Sequence, residues 1–208
     1  MDASVKDDLV VHLKKEITLA YGKDPSVSND FPGIINKRNF DRLRKMIAGQ
    51  TILMGGETDE TTLSISPTLI DDPATGSEVM KEEIFGPILP VLSFKIEEDI
   101  DRIISEYGKP LAFYIFSGNR NFIRRMIRKY SFGGGTVNDT TVHFADPHLP
   151  FGGVGSSGMG AYHGKFSFDT FSHKKGITRR YNWLDLNLRY PPYKGKLNLL
   201  KFFMKWLG

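Results

Sequence analysis

Apolar residues near the start of the chain recur at helical spacing. Leu9, Leu13, Ile17, Ala20 and Tyr21 share one predicted face, Ser4 and Asp7 form a capping box ahead of them, and Gly22 with Pro25 closes the segment. A second helix is predicted over 37–48, with Phe40, Leu43 and Ile47 inward and Gly49 as its stop. "TILMGG" and "SISPTLI" read as short strands on either side of the polar loop "ETDETT", and "PILPVLSFK" as a further strand. "IEEDIDRIISEYG" is helical, with Ile100, Ile103, Ile104 and Tyr107 inward and Gly108 closing it. The pattern then repeats. "LAFYIFS" is a continuous apolar run that suits a strand covered on both faces, "NRNFIRRMIRKY" is an amphipathic helix, and "GGGTVND" leads into another strand. Strand and helix in alternation predict an α/β fold with a mainly parallel sheet flanked by helices. Beyond Gly164 the character changes. "FSFDTFSHKKGITRRY" alternates and reads as a long strand with no helix to follow, and "KLNLLKFFMKWLG" is a short amphipathic helix behind "RYPPYKGK".

With 208 residues, 40% of them hydrophobic, the chain is long enough for one domain with a sizeable core. No apolar run reaches the ~20 residues needed to cross a bilayer and no signal peptide opens the chain, so a soluble cytoplasmic protein is expected. Cysteine is absent, which excludes disulfides, thiolate metal sites and a cysteine nucleophile from this chain; no other metal cluster is predicted. The net charge of +4 concentrates late, in "RNFIRRMIRK" and "HKKGITRRY". No RNP pattern, zinc-finger spacing or helix-turn-helix accompanies it. The basic stripe therefore reads as a solvated face or partner contact, with no nucleic acid as partner.

Two stretches carry candidate chemistry. In "LPFGGVGSSGMGAYHGK", residues 149–165, Gly153, Gly155 and Gly158 spell G-x-G-x-x-G. A dinucleotide loop needs a strand entering its first glycine and a helix leaving its last. Here two prolines sit in the approach "DPHLPF", and Gly160 and Gly164 interrupt the exit, so the match follows from glycine density. Two readings stay open for the loop. It is a turn packed on the core, or it lets the backbone pass close to a ligand and offers Phe151 as its bulky side chain. In "MKEEIFGPILPV", Glu82 and Glu83 point different ways whatever the backbone does. One can be solvated while the other accepts hydrogen bonds from a ligand's hydroxyls, with Phe85 against a flat ring. The competing reading is a surface acid pair beside a core phenylalanine.

Taken together, "EEIFGPILPV", "GGGTVND", "LPFGGVGSSGMGAYHGKFSFDTFSHKK" and "LRYPP" resemble the aldehyde dehydrogenase superfamily, nearest to its class 3 and fatty-aldehyde branch. The resemblance runs from the first helix to Pro192. It implies that Glu83 holds the nicotinamide ribose and that Phe85 lies near the nicotinamide ring. Phe151 becomes the aromatic of a substrate tunnel, with Asn138, His143 and Phe144 in the strand and loop leading to it. Residues 1–164 are then the C-terminal part of a catalytic domain and 165–181 a protruding β-arm that pairs with a second copy in a homodimer, through 166–181. Residues 182–208 form a tail whose helix either docks on protein or makes peripheral contact with a membrane interface. In that family a cysteine attacks the aldehyde, the thiohemiacetal passes hydride to NAD or NADP, and a glutamate-activated water releases the acid. The nucleophile, the general base and the dinucleotide-binding domain are expected upstream of Met1. The chain is thus expected to be inactive alone, to hold no catalytic residue, and to bind NAD or NADP weakly or not at all. The alternative is a free-standing oligomerisation or regulatory module derived from the same family.

Overall fold

The computed structural model describes residues 1–183, 185 and 190–207. Its first residues extend a sheet edge. The Met1 ammonium donates to the Leu92 carbonyl at 2.7 Å, Ala3 N–H to Phe94 at 2.8 Å, and Phe94 N–H to Met1 at 2.8 Å. Helix α1 (Lys6–Tyr21) follows a 3-10 turn over Ala3–Val5. The Asp2 carboxylate caps that turn by accepting from the Ser4 N–H and hydroxyl, in place of the expected Ser4–Asp7 box. The buried face is also rotated from the expected one. Val10 is buried with Leu13, Ile17 and Tyr21 partly covered, whereas Leu9 and Ala20 face out. Tyr21 closes this face edge-on against Phe31, 4.9 Å between ring centres.

Helix α2 (Lys37–Ile47) begins at Asn36, whose side-chain oxygen accepts the Asn39 N–H at 2.9 Å. Phe40, Leu43 and Met46 then form the main core with Ile65, Ile70, Val79 and Ile88, and Ile47 packs at its margin. Around α2 lie β1 (Ile52–Met54), the ribbon β2 (Thr58–Asp59) with β3 (Ser64–Ile65), and β4 (Thr68–Asp71). The one-turn helix α3 (Glu78–Lys81) and β5 (Ile88–Val91) complete this half. The sheet order is β1-β4-β5. β4 pairs parallel with β5 in the register Thr68↔Ile88 to Asp71↔Val91, whereas β1 runs antiparallel to β4. The difference follows from the links: a short ribbon returns the chain antiparallel, and a crossover permits a parallel pair.

The second half begins with α4 (Glu97–Tyr107) and continues as β6 (Ala112–Ile115), α5 (Arg120–Lys129) and β7 (Gly134–Val137). β6 and β7 pair parallel, from Ala112↔Gly134 to Ile115↔Val137, around the crossover helix α5. The basic residues of α5 meet the acidic face of α4. Arg125 pairs with Glu97, Lys129 reaches Asp101 at 2.6 Å, and the Tyr130 hydroxyl donates to Asp101 at 2.7 Å. These cations therefore serve a helix–helix seam. Tyr107, expected inward, is exposed, and its hydroxyl donates to the Thr75 carbonyl at 2.9 Å.

After β7 come the one-turn helix α6 (Val142–Ala145), the glycine loop with a 3-10 turn at Gly155–Ser157, and helix α7 (Gly164–Thr170). The start of the predicted β-arm is corrected here. Phe166 and Phe168 belong to α7, and the described residues 171–183 carry neither helix nor strand. Local bonding outweighs the alternating pattern: Phe166 N–H donates to the His163 carbonyl, His163 N–H to Ser167 Oγ, and Lys165 pairs with Asp169 one turn on. The tail ends in α8 (Leu197–Leu207). Leu188 and Arg189 of "LRYPP" lie outside the described residues. Among the described residues no helix is long and apolar enough to cross a membrane.

Candidate functional site

Two neighbourhoods hold the predicted site residues. The first is a groove of about 850 Å³ between the α2 side and the Glu82–Pro87 loop, lined by Phe31, Ile35, Arg42, Glu82, Glu83 and Phe85 among others. The Arg42 guanidinium shapes one wall. It donates to the Glu82 carboxylate at 3.0 Å, the Glu83 carbonyl at 3.4 Å and the Ile84 carbonyl at 2.5 Å. Glu82 is therefore ion-paired, and the Glu83 carboxylate, exposed, has no protein partner among the described residues. The two acids therefore differ in surroundings: Glu82 is paired with Arg42, and Glu83 is exposed.

Phe85 is not a core residue of this chain. Its side chain is 77% exposed and its backbone sits at φ 46°, a region costly for a bulky side chain by about 1–3 kcal/mol. Gly86 explains why the loop runs so close to α2. A Cβ at that position would stand 2.6 Å from Leu43 Cδ1, inside the core.

The second neighbourhood is aromatic. Phe151 exchanges both backbone hydrogen bonds with Tyr162, at 3.1 and 2.9 Å, so the glycine loop closes on itself as a hairpin-like bridge. Around the Phe151 ring stand Tyr162 at 5.4 Å, His143 at 5.6 Å, Phe144 at 6.1 Å and His163 at 6.2 Å between centres. His143 is 7% exposed and also meets Tyr114 edge-on at 5.6 Å. Its Nδ1 lies 3.5 Å from the Thr136 hydroxyl, and its Nε2 is buried without a partner among the described residues. Asn138 departs from this group. Its side chain accepts from Ser117 N–H at 2.8 Å and donates to the Ser117 carbonyl at 3.2 Å, clasping the carboxyl ends of β6 and β7.

The loop's glycines serve backbone packing. A Cβ on Gly152 would lie 2.1 Å from the Gly160 carbonyl oxygen, and one on Gly153 would lie 2.0 Å from that of Ser157. Gly155 and Gly158 sit at φ 64° and 136°. The structure thus brings His143, Phe144 and Phe151 together, places Glu83 and Phe85 on the separate groove, and turns Asn138 to a structural clasp. Tyr162, His163 and Arg42 went unnoticed in the sequence. The first two lie in the glycine loop itself, and a ring pair between Gly160 and Gly164 is the available signal. No local signal marks Arg42, whose partners lie some forty residues on.

The aldehyde dehydrogenase family pattern matches residues 1–177. The 4,4'-diaponeurosporen-aldehyde dehydrogenase of Staphylococcus aureus is 45% identical over 204 residues, which cover 97% of this chain and 44% of that protein. Aldehyde dehydrogenase family 3 member A2 of Rattus norvegicus is 48% identical over 206 residues, 98% of this chain and 43% of that protein. A solved substrate-bound state of Staphylococcus aureus AldH superposes with a TM-score of 0.87 at 44% identity, covering 98% of this chain and 45% of that one. The chain thus spans under half the length of the relatives it matches. The matched family pattern, carrying the loop that exposes Phe85 beside Glu83 and the aromatic loop of Phe151, makes this chain a member of the aldehyde dehydrogenase family.

Proposed function

We propose that this chain forms the C-terminal part of the catalytic domain of an NAD(P)-dependent aldehyde dehydrogenase, an enzyme oxidising an aldehyde to its carboxylic acid. The observation that carries this is the pairing of an open carboxylate, Glu83, with an outward-held aromatic, Phe85, on one wall of the 850 Å³ groove. That donor set suits a nicotinamide nucleoside. A carboxylate accepts from both hydroxyls of a ribose diol, and a flat ring lies against a phenyl face. When bound, NAD or NADP supplies the acceptor for the hydride. Glu83 would orient the ribose and Phe85 would limit the tilt of the nicotinamide. His143, Phe144, Phe151 and Tyr162 offer the apolar, water-excluding wall that an aldehyde's carbon chain needs.

The covalent step needs a thiolate, and these 208 residues contain none. The nucleophile must then come from another segment, and this chain turns over no aldehyde by itself. Residues 165–181 are assigned to contact with a second copy in a cytoplasmic homodimer. Support comes from Phe168, Phe171 and Ile177, which stand exposed in a segment with no cover of its own.

The test has two arms. The purified chain, given an aldehyde with NAD or NADP, should yield no reduced nicotinamide, and calorimetry should give an affinity weaker than micromolar. Joined to a segment carrying the nucleotide-binding half and a cysteine, it should gain activity, and Glu83→Gln should then slow hydride transfer while leaving the fold intact. Reduction by the chain alone, or a Glu83→Gln variant that unfolds, defeats the proposal.

A further inference from the structure

We infer that Arg42 is a positioning residue for the cofactor groove, acting through the backbone of the Glu82–Phe85 loop. The inference rests on the reading of Glu83 and Phe85 given above, and it deepens that reading by naming what holds them in place.

Arg42 stands on α2 one turn from Met46 and within the stretch that supplies the core residues Phe40 and Leu43, so its Cα is fixed by a helix anchored in the core. From that base its guanidinium spans three consecutive residues of the loop. Nη1 donates to the Glu82 carboxylate at 3.0 Å and to the Glu83 carbonyl at 3.4 Å, and Nη2 donates to the Ile84 carbonyl at 2.5 Å. The planar fork of arginine fits this task, because two nitrogens at fixed separation address two successive carbonyls. The next residue is Phe85, at φ 46°, and then comes Gly86, which is pressed against Leu43. The strained residue is therefore held from both sides, by a side-chain clamp before it and a close backbone contact after it. A strained conformation of this kind persists only where its surroundings over-determine it. Without the clamp, the loop would relax towards negative φ at Phe85, and the phenyl ring and the Glu83 carboxylate would leave their common wall. Glu82 is the lesser member: its carboxylate fixes the guanidinium, but the contacts that set the loop are to carbonyl oxygens.

The experiment compares wild type, Arg42→Ala, Arg42→Lys, Glu82→Gln and Glu83→Gln as full chains. The HN–Hα coupling and the backbone and ring resonances of Phe85 read the loop, and NMR titration with nicotinamide mononucleotide reads the site. Arg42→Ala should change the Phe85 coupling and move its resonances even before ligand is added, because the guanidinium no longer holds the Glu83 and Ile84 carbonyls. It should also weaken the mononucleotide at least tenfold. Thermal unfolding should stay near wild type, since Phe40, Leu43 and Met46 are untouched. Arg42→Lys should not restore the wild-type Phe85 signals, lacking the fork, whereas Glu82→Gln should keep most of them. Glu83→Gln should weaken the mononucleotide with the Phe85 coupling unchanged. An unchanged Phe85 coupling in Arg42→Ala, or a full rescue by lysine, overturns the clamp. If instead Phe85 responds as expected while Glu83→Gln leaves mononucleotide binding intact, the clamp stands as a loop brace, and both the cofactor reading and Arg42's role in it fall.

Discussion

Gly152→Ala isolates what the glycine run is for. Gly152 is not at positive φ, so alanine brings no backbone penalty of its own, and the effect is steric. The added methyl would lie 2.1 Å from the Gly160 carbonyl oxygen, 2.8 Å from Ala161 Cα and 3.0 Å from the Gly160 carbonyl carbon. All three are backbone atoms, so no rotamer change relieves the overlap. The 160–162 segment must retreat by more than about 1 Å to reach ordinary contact distance, which overlap of this size demands of close-packed atoms. That retreat breaks the two hydrogen bonds between Phe151 and Tyr162, each worth about 0.5–1.5 kcal/mol net. It also loosens their edge-to-face contact at 5.4 Å, worth about 0.5–1.5 kcal/mol more.

The expected loss is therefore roughly 2–4 kcal/mol, or on the order of 10 °C in Tm for a chain of this size. Urea and thermal unfolding measure it, with Gly118→Ala as the control. Gly118 has nothing within 4 Å of its ideal Cβ and no positive φ, so alanine there should be neutral or slightly stabilising. Gly152→Ala within about 0.5 kcal/mol of wild type, the scatter of an ordinary surface change, would refute the packing account. The glycines would then have to be kept for a ligand, and the substitution would show in binding alone.

Acid should weaken the α4–α5 seam. Arg125 holds the Glu97 carboxyl below its ordinary range, Lys129 and then Tyr130 do the same for Asp101, and the Lys95 and Ile96 N–H groups do so for Asp99. Carboxylates lowered in the fold stabilise it above their unfolded pKa of about 4, and this is lost as pH falls through the lower folded value. Urea midpoints should therefore drop below about pH 4, Asp101→Asn should flatten that limb, and high salt should trim it; an identical limb in the variant refutes the seam. The chain should sediment as a discrete dimer that deletion of 168–180 abolishes, and a stable monomer with the segment intact would sink the assembly. Helix α8 exposes Leu197, Phe203 and Met204, so the chain should float with anionic vesicles. Truncation after Lys194 should remove that fraction, and equal soluble fractions for both chains would refute it.

The parts of the fold legible in the sequence are those whose determinants are local. Helix α2 shows in the spacing of Phe40 and Leu43 between Asn36 and Gly49, and β6–α5–β7 shows in an apolar run, an amphipathic stretch and a glycine-led strand. What stayed hidden depends on distant partners. The exposure of Phe85 follows from Arg42 and Leu43 pinning the residues on either side of it. Asn138 lies in the right loop for a tunnel, yet its side chain turns to Ser117, which only the β6–β7 pairing brings near. Helix α7 is hidden because F-S-F-D alternates, while the bonds from residues 166 and 167 back to 163 carry no signature in an alternating pattern.

The backbone adds an argument for the two neighbourhoods that side-chain chemistry alone does not give. Among the described residues six non-glycine positions have positive φ, and Phe85, Asn138, Thr141 and His163 are four of them. Phe85 lies on the groove, His163 contacts Phe151, and Asn138 and Thr141 flank the turn that delivers His143. Three of these four are over-determined by an observed restraint. Arg42 and Gly86 hold Phe85, Ser117 clasps Asn138, and His163 is tied through Ser167 Oγ and the Leu149 carbonyl. Elsewhere the chain meets positive φ with glycine, as at Gly22, Gly49 and Gly108. Leu63, at φ 53° and packed against the core, shows that a structural position also carries such a conformation, so the strain at Phe85 and His163 tells only where an aromatic ring and an imidazole stand.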